Sequence, residues 1–196
     1  IEKEKSFSYE NTIVALYRIA LGLFKKIVIA DNLSIMINDV YNGYNMYSGL
    51  LLSVTVVLYV AELYSDFAGS IDISIGIAGL FGIRLTENFN RPFLARTTAE
   101  FWRKWHITLG SWMREYVFNP ILLCFNRNFP AILRKRLGKK IVRKLTTWTA
   151  LVILWSVVGF WHGADLKYWI GNGMWYAVII IFGEMFEPAF EIICKI

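Results

Sequence analysis

One uncharged run constrains this chain more than any other feature. Leu145 to Ala164 is 20 residues without a formal charge, and His162 is its one titratable side chain. About 20 apolar residues is the length a helix needs to cross the hydrocarbon of a bilayer. Val40 to Ala61 gives 22 more uncharged residues, and Tyr168 to Gly183 gives 16. Asn11 to Phe24 is apolar apart from Arg18, and Ile73 to Ile83 is apolar and Gly-rich. A soluble domain would have to bury all of these at once. Charged residues make up only 18% of the chain, against about 25% in soluble domains. The expected fold is therefore all-α: a polytopic integral membrane protein with transmembrane, re-entrant and interfacial amphipathic helices. Four or five membrane helices are expected, within a single membrane domain over residues 1–196.

The net charge of +6 has a definite location. Arg127, Arg134, Lys135, Arg136, Lys139, Lys140, Arg143 and Lys144 lie within 18 residues that hold no carboxylate. The aromatics there are not interleaved with the cations as stacking on nucleic acid requires, so no nucleic-acid partner is expected. The cluster directly precedes the run from Leu145, where the positive-inside rule places a cytoplasmic loop. Residues 126–144 are thus read as a basic cytoplasmic loop facing anionic lipid. The following span then runs outward and leaves His162 deep in the protein or towards its outer side. Cys124 and Cys194 are far apart, and with only two histidines no metal site is expected. The chain opens on Ile1, and IEKEK lacks signal-peptide character. A piece of a longer protein is the expectation.

Ser74, Ala78 and Gly82 recur every four positions, with Gly76 and Gly79 between them. That pattern reads as a close-packing face between membrane helices. Residues 97–117 differ in character. Phe101, Trp102, Trp105, Leu109, Trp112, Met113 and Tyr116 form one apolar stripe at helical spacing. Thr97 and Glu100 fit a capping box, and Glu100 with Lys104 is a favourable i,i+4 pair. An interfacial helix over 97–117 is expected. His106 sits at the edge of its stripe, where a histidine is ordinarily an amphipathic filler with its ring tip in water.

His162 is the more informative histidine. Ionisable groups at membrane depth are costly and point to function by default. Burial would keep the imidazole neutral and able to accept a proton. Gly163 beside it leaves room for a substrate or a tight turn. The plain alternative is an interfacial histidine with a partner at a helix end. Glu62, Asp66 and Asp72 also lie at depth, with Glu62 and Asp66 on one helix face. Capping, pairing with cations and an ion path are all open for them.

Tyr64 to Pro120 closely resembles the bacterial branch of the membrane-bound O-acyltransferase family. The supporting pieces are GLFKKIVIADNL (22–33), NFNRPF (88–93), EFWRKWHITL (100–109) and GFWHGA (159–164), in the family's order and approximate spacing. GLFKKIVIADNL leans towards the alginate-like subgroup. The resemblance implies a multi-pass enzyme of the cell membrane that moves an acyl group from a thioester to a hydroxyl. It further implies that this chain is the C-terminal catalytic part of a longer protein. The family's invariant histidine corresponds to His162, and the second histidine of this branch to His106, as catalytic residues. Trp102, Trp105, Asn88 and Trp161 become candidate substrate-binding residues. No bound cofactor is implied. The donor would be acetyl-CoA, or an acyl-carrier phosphopantetheine on the cytoplasmic side. The acceptor would be an exported polysaccharide, served by an extracytoplasmic acetylation partner protein. D-alanyl transfer to teichoic acid is the related alternative. A transporter using the three carboxylates, or a scaffold recruiting a soluble transferase, are alternatives of another class. The chain departs from the family at NPILLCFNRN after the interfacial helix. It departs again at NGMWYAV, where Tyr176 stands near a usual histidine.

Overall fold

A computed structural model describes residues 8–193, and the side chains of those up to 186. Cys194 lies outside the described residues. Every regular element among them is helical, as the fold class requires. The chain packs as two compact units, 1–88 and 89–196.

In the first unit, α1 (Tyr9–Leu23) passes through a π-helical turn (Phe24–Ala30) into α2 (Asp31–Asn42), and α3 (Gly49–Leu80) packs against all three. Ser8 caps α1 and Ser48 caps α3, each side chain accepting a first-turn N–H. Gly22 and Gly69 set how closely α1 approaches α3. A Cβ on Gly22 would lie 2.6 Å from the Gly69 carbonyl oxygen, and one on Gly69 would lie 2.8 Å from that of Gly22. The close-packing face therefore runs through Gly69, Asp72 and Gly76, the last against Ala15 and Ile19. It does not follow the stripe expected from sequence: Ser74 is exposed and bonds back to the Ser70 carbonyl. Gly82 lies past the end of α3 in a left-handed turn.

Charge pairing fills the same seam. Asp72, only 4% exposed, accepts from Arg18 Nε at 2.7 Å and from Lys25 Nζ at 2.6 Å. Arg18 also reaches Glu87, and Lys26 bonds Asp66 and lies 3.4 Å from Asp31. The π-helical turn lets the consecutive lysines both engage α3. Of the roles open to the carboxylates at depth, pairing is the one Asp66 and Asp72 take.

The second unit holds α4 (Thr98–Lys104), α5 (Ile107–Met113), a π-helical turn (Arg114–Phe118) and α6 (Asn119–Asn128). It continues with α7 (Ala131–His162), α8 (Leu166–Trp169) and α9 (Trp175–Ile193). Two expectations are corrected here. The single helix over 97–117 is broken at Trp105–His106. The stretch 126–144 is helical over most of its length instead of being a loop, bent where Gly138 takes φ 78°.

Among the described residues, three helices are long and apolar enough to cross a membrane: Gly49–Leu80, Ala131–His162 and Leu166–Phe186. That is fewer than the four or five expected. The run from Val40 is interrupted at residues 43–48, so its span starts at Gly49 and absorbs most of Ile73–Ile83. Asn11–Phe24 falls almost wholly in the 15-residue α1, below a spanning length on its own.

Candidate active site

The site begins with the short helix α4. Thr97 Oγ1 accepts the Glu100 N–H at 3.1 Å, and Glu100 Oε2 reaches back to the Arg96 N–H at 2.8 Å. The other carboxylate oxygen meets Lys104 Nζ at 2.6 Å. Lys104 above all, then the Arg96 N–H, holds the Glu100 carboxyl below its ordinary value. The expected capping box and i,i+4 pair thus both form, the glutamate reaching one residue further back.

Helix α4 stops after Lys104, whose carbonyl is taken by the Asn90 N–H at 3.0 Å from the NFNRPF loop. Trp105 turns extended, and His106 adopts left-handed dihedrals (φ 45°, ψ 55°). A side chain there costs about 1–3 kcal/mol and persists only where its surroundings impose it. The His106 carbonyl then accepts the Gly110 N–H at 3.0 Å and starts α5. The amphipathic stripe is real on either side of this break, but His106 is a hinge point and not a filler within a continuous helix.

Aromatic packing imposes the break from both sides. Trp105 stacks on Phe101 at 5.6 Å and meets Phe89 edge-on at 5.0 Å, with Phe93 at 6.4 Å. Trp102 faces the other way, T-shaped against buried Trp155 at 4.8 Å and Tyr176 at 4.6 Å. It therefore ties α4 to α7 and α9. Sequence reasoning singled out Tyr176 only as a departure from the family; here it is a strut of the site's wall.

At the far end of α7, Trp161 stands T-shaped to the His162 ring at 5.0 Å and 6.4 Å from the His106 ring. Three of the candidates, His106, Trp161 and His162, are thus brought together from segments more than fifty positions apart in sequence. His162 is exposed on this chain and His106 half-buried. Burial first, and the neighbouring His162 second, lower the His106 pKa below the ordinary imidazole value. Gly163 serves the tight turn: Tyr168 packs its ring where a Cβ would project. Asn88 is buried at the end of the first unit. An open groove of about 370 Å³ beside α4 is lined by Pro92, Phe93, Arg96, Thr97, Thr98 and Phe101, and contains neither histidine.

A neutral imidazole can take a proton from a hydroxyl and return it to a leaving group, while a second donates to developing negative charge. Two histidines with their rings 6.4 Å and 5.0 Å from one indole have the composition for acyl transfer. Known proteins point the same way. Residues 2–131 match the family model described as MBOAT, membrane-bound O-acyltransferase family; this segment includes His106 and ends before His162. The chain is 35% identical over 157 residues to a peptidoglycan O-acetyltransferase of Helicobacter pylori, covering 80% of this chain and 27% of that protein. It is 34% identical over 164 residues to a probable alginate O-acetylase of Pseudomonas fluorescens, covering 82% and 30%. A teichoic acid D-alanyltransferase of Bacillus subtilis is 29% identical over 192 residues, covering 95% and 46%. The chain spans about three-tenths of the length of the first two relatives. It belongs to the membrane-bound O-acyltransferase family.

Proposed function

We propose that this chain carries the reacting centre of a membrane O-acyltransferase that esterifies hydroxyls of a cell-surface or exported polysaccharide. Acetyl is the favoured acyl group, because the relatives named for O-acetylation are more similar to the chain than those named for D-alanyl transfer. The observation that carries the reading is the meeting of His106 and His162 on Trp161, with His106 held in a costly backbone conformation.

His162 acts as general base. It takes the acceptor hydroxyl's proton as that oxygen attacks the thioester carbonyl, with a gain of about 10²–10⁴ in rate. His106 donates to the oxyanion of the tetrahedral intermediate. That intermediate collapses by breaking the C–S bond, and the imidazolium of His162 returns its proton to the departing sulfur. Ester and thiol result, and both histidines end as they began. Trp161 orients the two rings, and Trp102 and Trp105 brace the segment that presents His106.

With the basic end of α7 at the cytoplasmic face, His162 lies about 26 Å further along the axis from Leu145, near the opposite face. The acceptor then arrives from outside, with an extracytoplasmic partner protein. The donor, acetyl-CoA or a phosphopantetheine carrier, delivers its acyl group from the cytoplasm. The site belongs to the cell membrane.

Supplying cell membranes with a radiolabelled acetyl thioester tests this. The expected result is label in the polysaccharide, released by mild hydroxylamine as an ester should be. A transporter would give flux of an unmodified solute and no covalent label. Pairing of Asp66 and Asp72 with cations already disfavours an ion path along α3.

A further inference from the structure

The basic segment of α7 has a built shape. Gly138 (φ 78°, ψ 156°) divides it into a limb over residues 131–137 and a second limb that becomes the span. A Cβ at Gly138 would meet nothing within 4 Å, so the dihedral and not crowding calls for glycine. Both limbs are braced on one residue of α6. Arg134 Nη2 donates to the Asn126 backbone carbonyl at 2.6 Å, and Thr146 Oγ1 donates to Asn126 Oδ1 at 3.1 Å. The elbow angle is therefore held by α6.

Around the elbow, aliphatic and cationic side chains alternate on the surface. Ile132, Leu133 and Ile141 are 76%, 43% and 50% exposed. Lys135, Arg136, Lys139, Lys140, Arg143 and Lys144 are exposed too, and among the described residues none of them is in an ion pair. This surface occupies the N-terminal part of a helix long and apolar enough to cross a membrane.

We propose that the elbow is a docking surface for acidic phospholipid. Gly138 turns the first limb onto the plane of the leaflet, the cations bind lipid phosphates, and Ile132, Leu133 and Ile141 enter the upper acyl region. The occupant follows from complementarity: anionic headgroups satisfy the cations while the tails beneath them cover the aliphatics. An acidic protein would answer the cations alone. The inference needs the chain only to be membrane-embedded and stands apart from its acyl chemistry.

A nitroxide at Ile132→Cys, in protein with Cys124→Ser and Cys194→Ser, reads the placement. The protein is reconstituted in phosphatidylcholine vesicles with or without phosphatidylglycerol. With the anionic lipid, dissolved oxygen should relax the label more than an aqueous nickel chelate does. The preference should reverse in phosphatidylcholine alone, and also when Lys135, Lys139, Lys140 and Arg143 are changed to Gln. Gly138→Ala should reverse it too, since alanine favours the straight right-handed helix. The lipid comparison needs no elbow or charge variant, so a misfolded one leaves the test intact. A label that stays aqueous in anionic vesicles overturns the proposal, as does equal immersion with and without phosphatidylglycerol.

Discussion

His106 shows how far a single residue can be read. By its own neighbours it read as an amphipathic filler, and only the family resemblance gave it a catalytic reading. Its backbone was not legible. FWRKWHITLG contains no proline and no early glycine to signal a break, and histidine tolerates left-handed dihedrals better than most residues. The forces that impose the conformation come from elsewhere in sequence, from Asn90, Phe89 and Phe93. The account predicts that His106→Gly and His106→Ala both slow transfer. Glycine should retain more stability, by roughly 1 kcal/mol, because it adopts φ 45° freely; thermal unfolding of the two variants checks this. The lowered His106 pKa gives a pH prediction as well. A depressed imidazole pKa means the neutral form is favoured by folding. Its stabilisation is full above the unfolded value of about 6.5 and is lost as pH falls through the folded value. The unfolding midpoint should accordingly fall as pH is lowered below about 6.5, which thermal unfolding across that range checks.

Among the elements, α3 shows what periodicity can and cannot say. Small residues correctly marked it as a helix that another helix approaches closely, but the spacing of Ser74, Ala78 and Gly82 selected the wrong line. The contact follows Gly69, Asp72 and Gly76 because Gly22, Arg18 and Lys25 of the partner elements fit there. No one-helix pattern contains that information. Asp72 pairs with two cations at 6% side-chain exposure. Removing one member of a buried charge group costs about 3–5 kcal/mol. Asp72→Ala should therefore lower the unfolding midpoint sharply, and adding Lys25→Ala should restore part of the loss. Equal midpoints for the single and double variants would show that the carboxylate is not carrying those charges. The basic segment was likewise legible as a run of cations ahead of a span, while its helical limbs and their bracing on Asn126 depended on contacts across α6 and α7.

For the whole molecule, the uncharged runs were enough for fold class, because only helices and closed barrels satisfy their backbone in hydrocarbon and runs of about 20 residues fit helices. The linked motifs were enough for the family. What they left open was how GFWHGA and EFWRKWHITL meet, since nothing in either string names the other. Their meeting on Trp161 is a property of the packed second unit. It turns two separately ambiguous histidines into one candidate centre. The most direct test is the rate of ester formation by His162→Ala, measured on protein inserted in vesicles with unaltered helical content. The account predicts a fall of at least about 10²-fold. Transfer at the unmodified rate would contradict it.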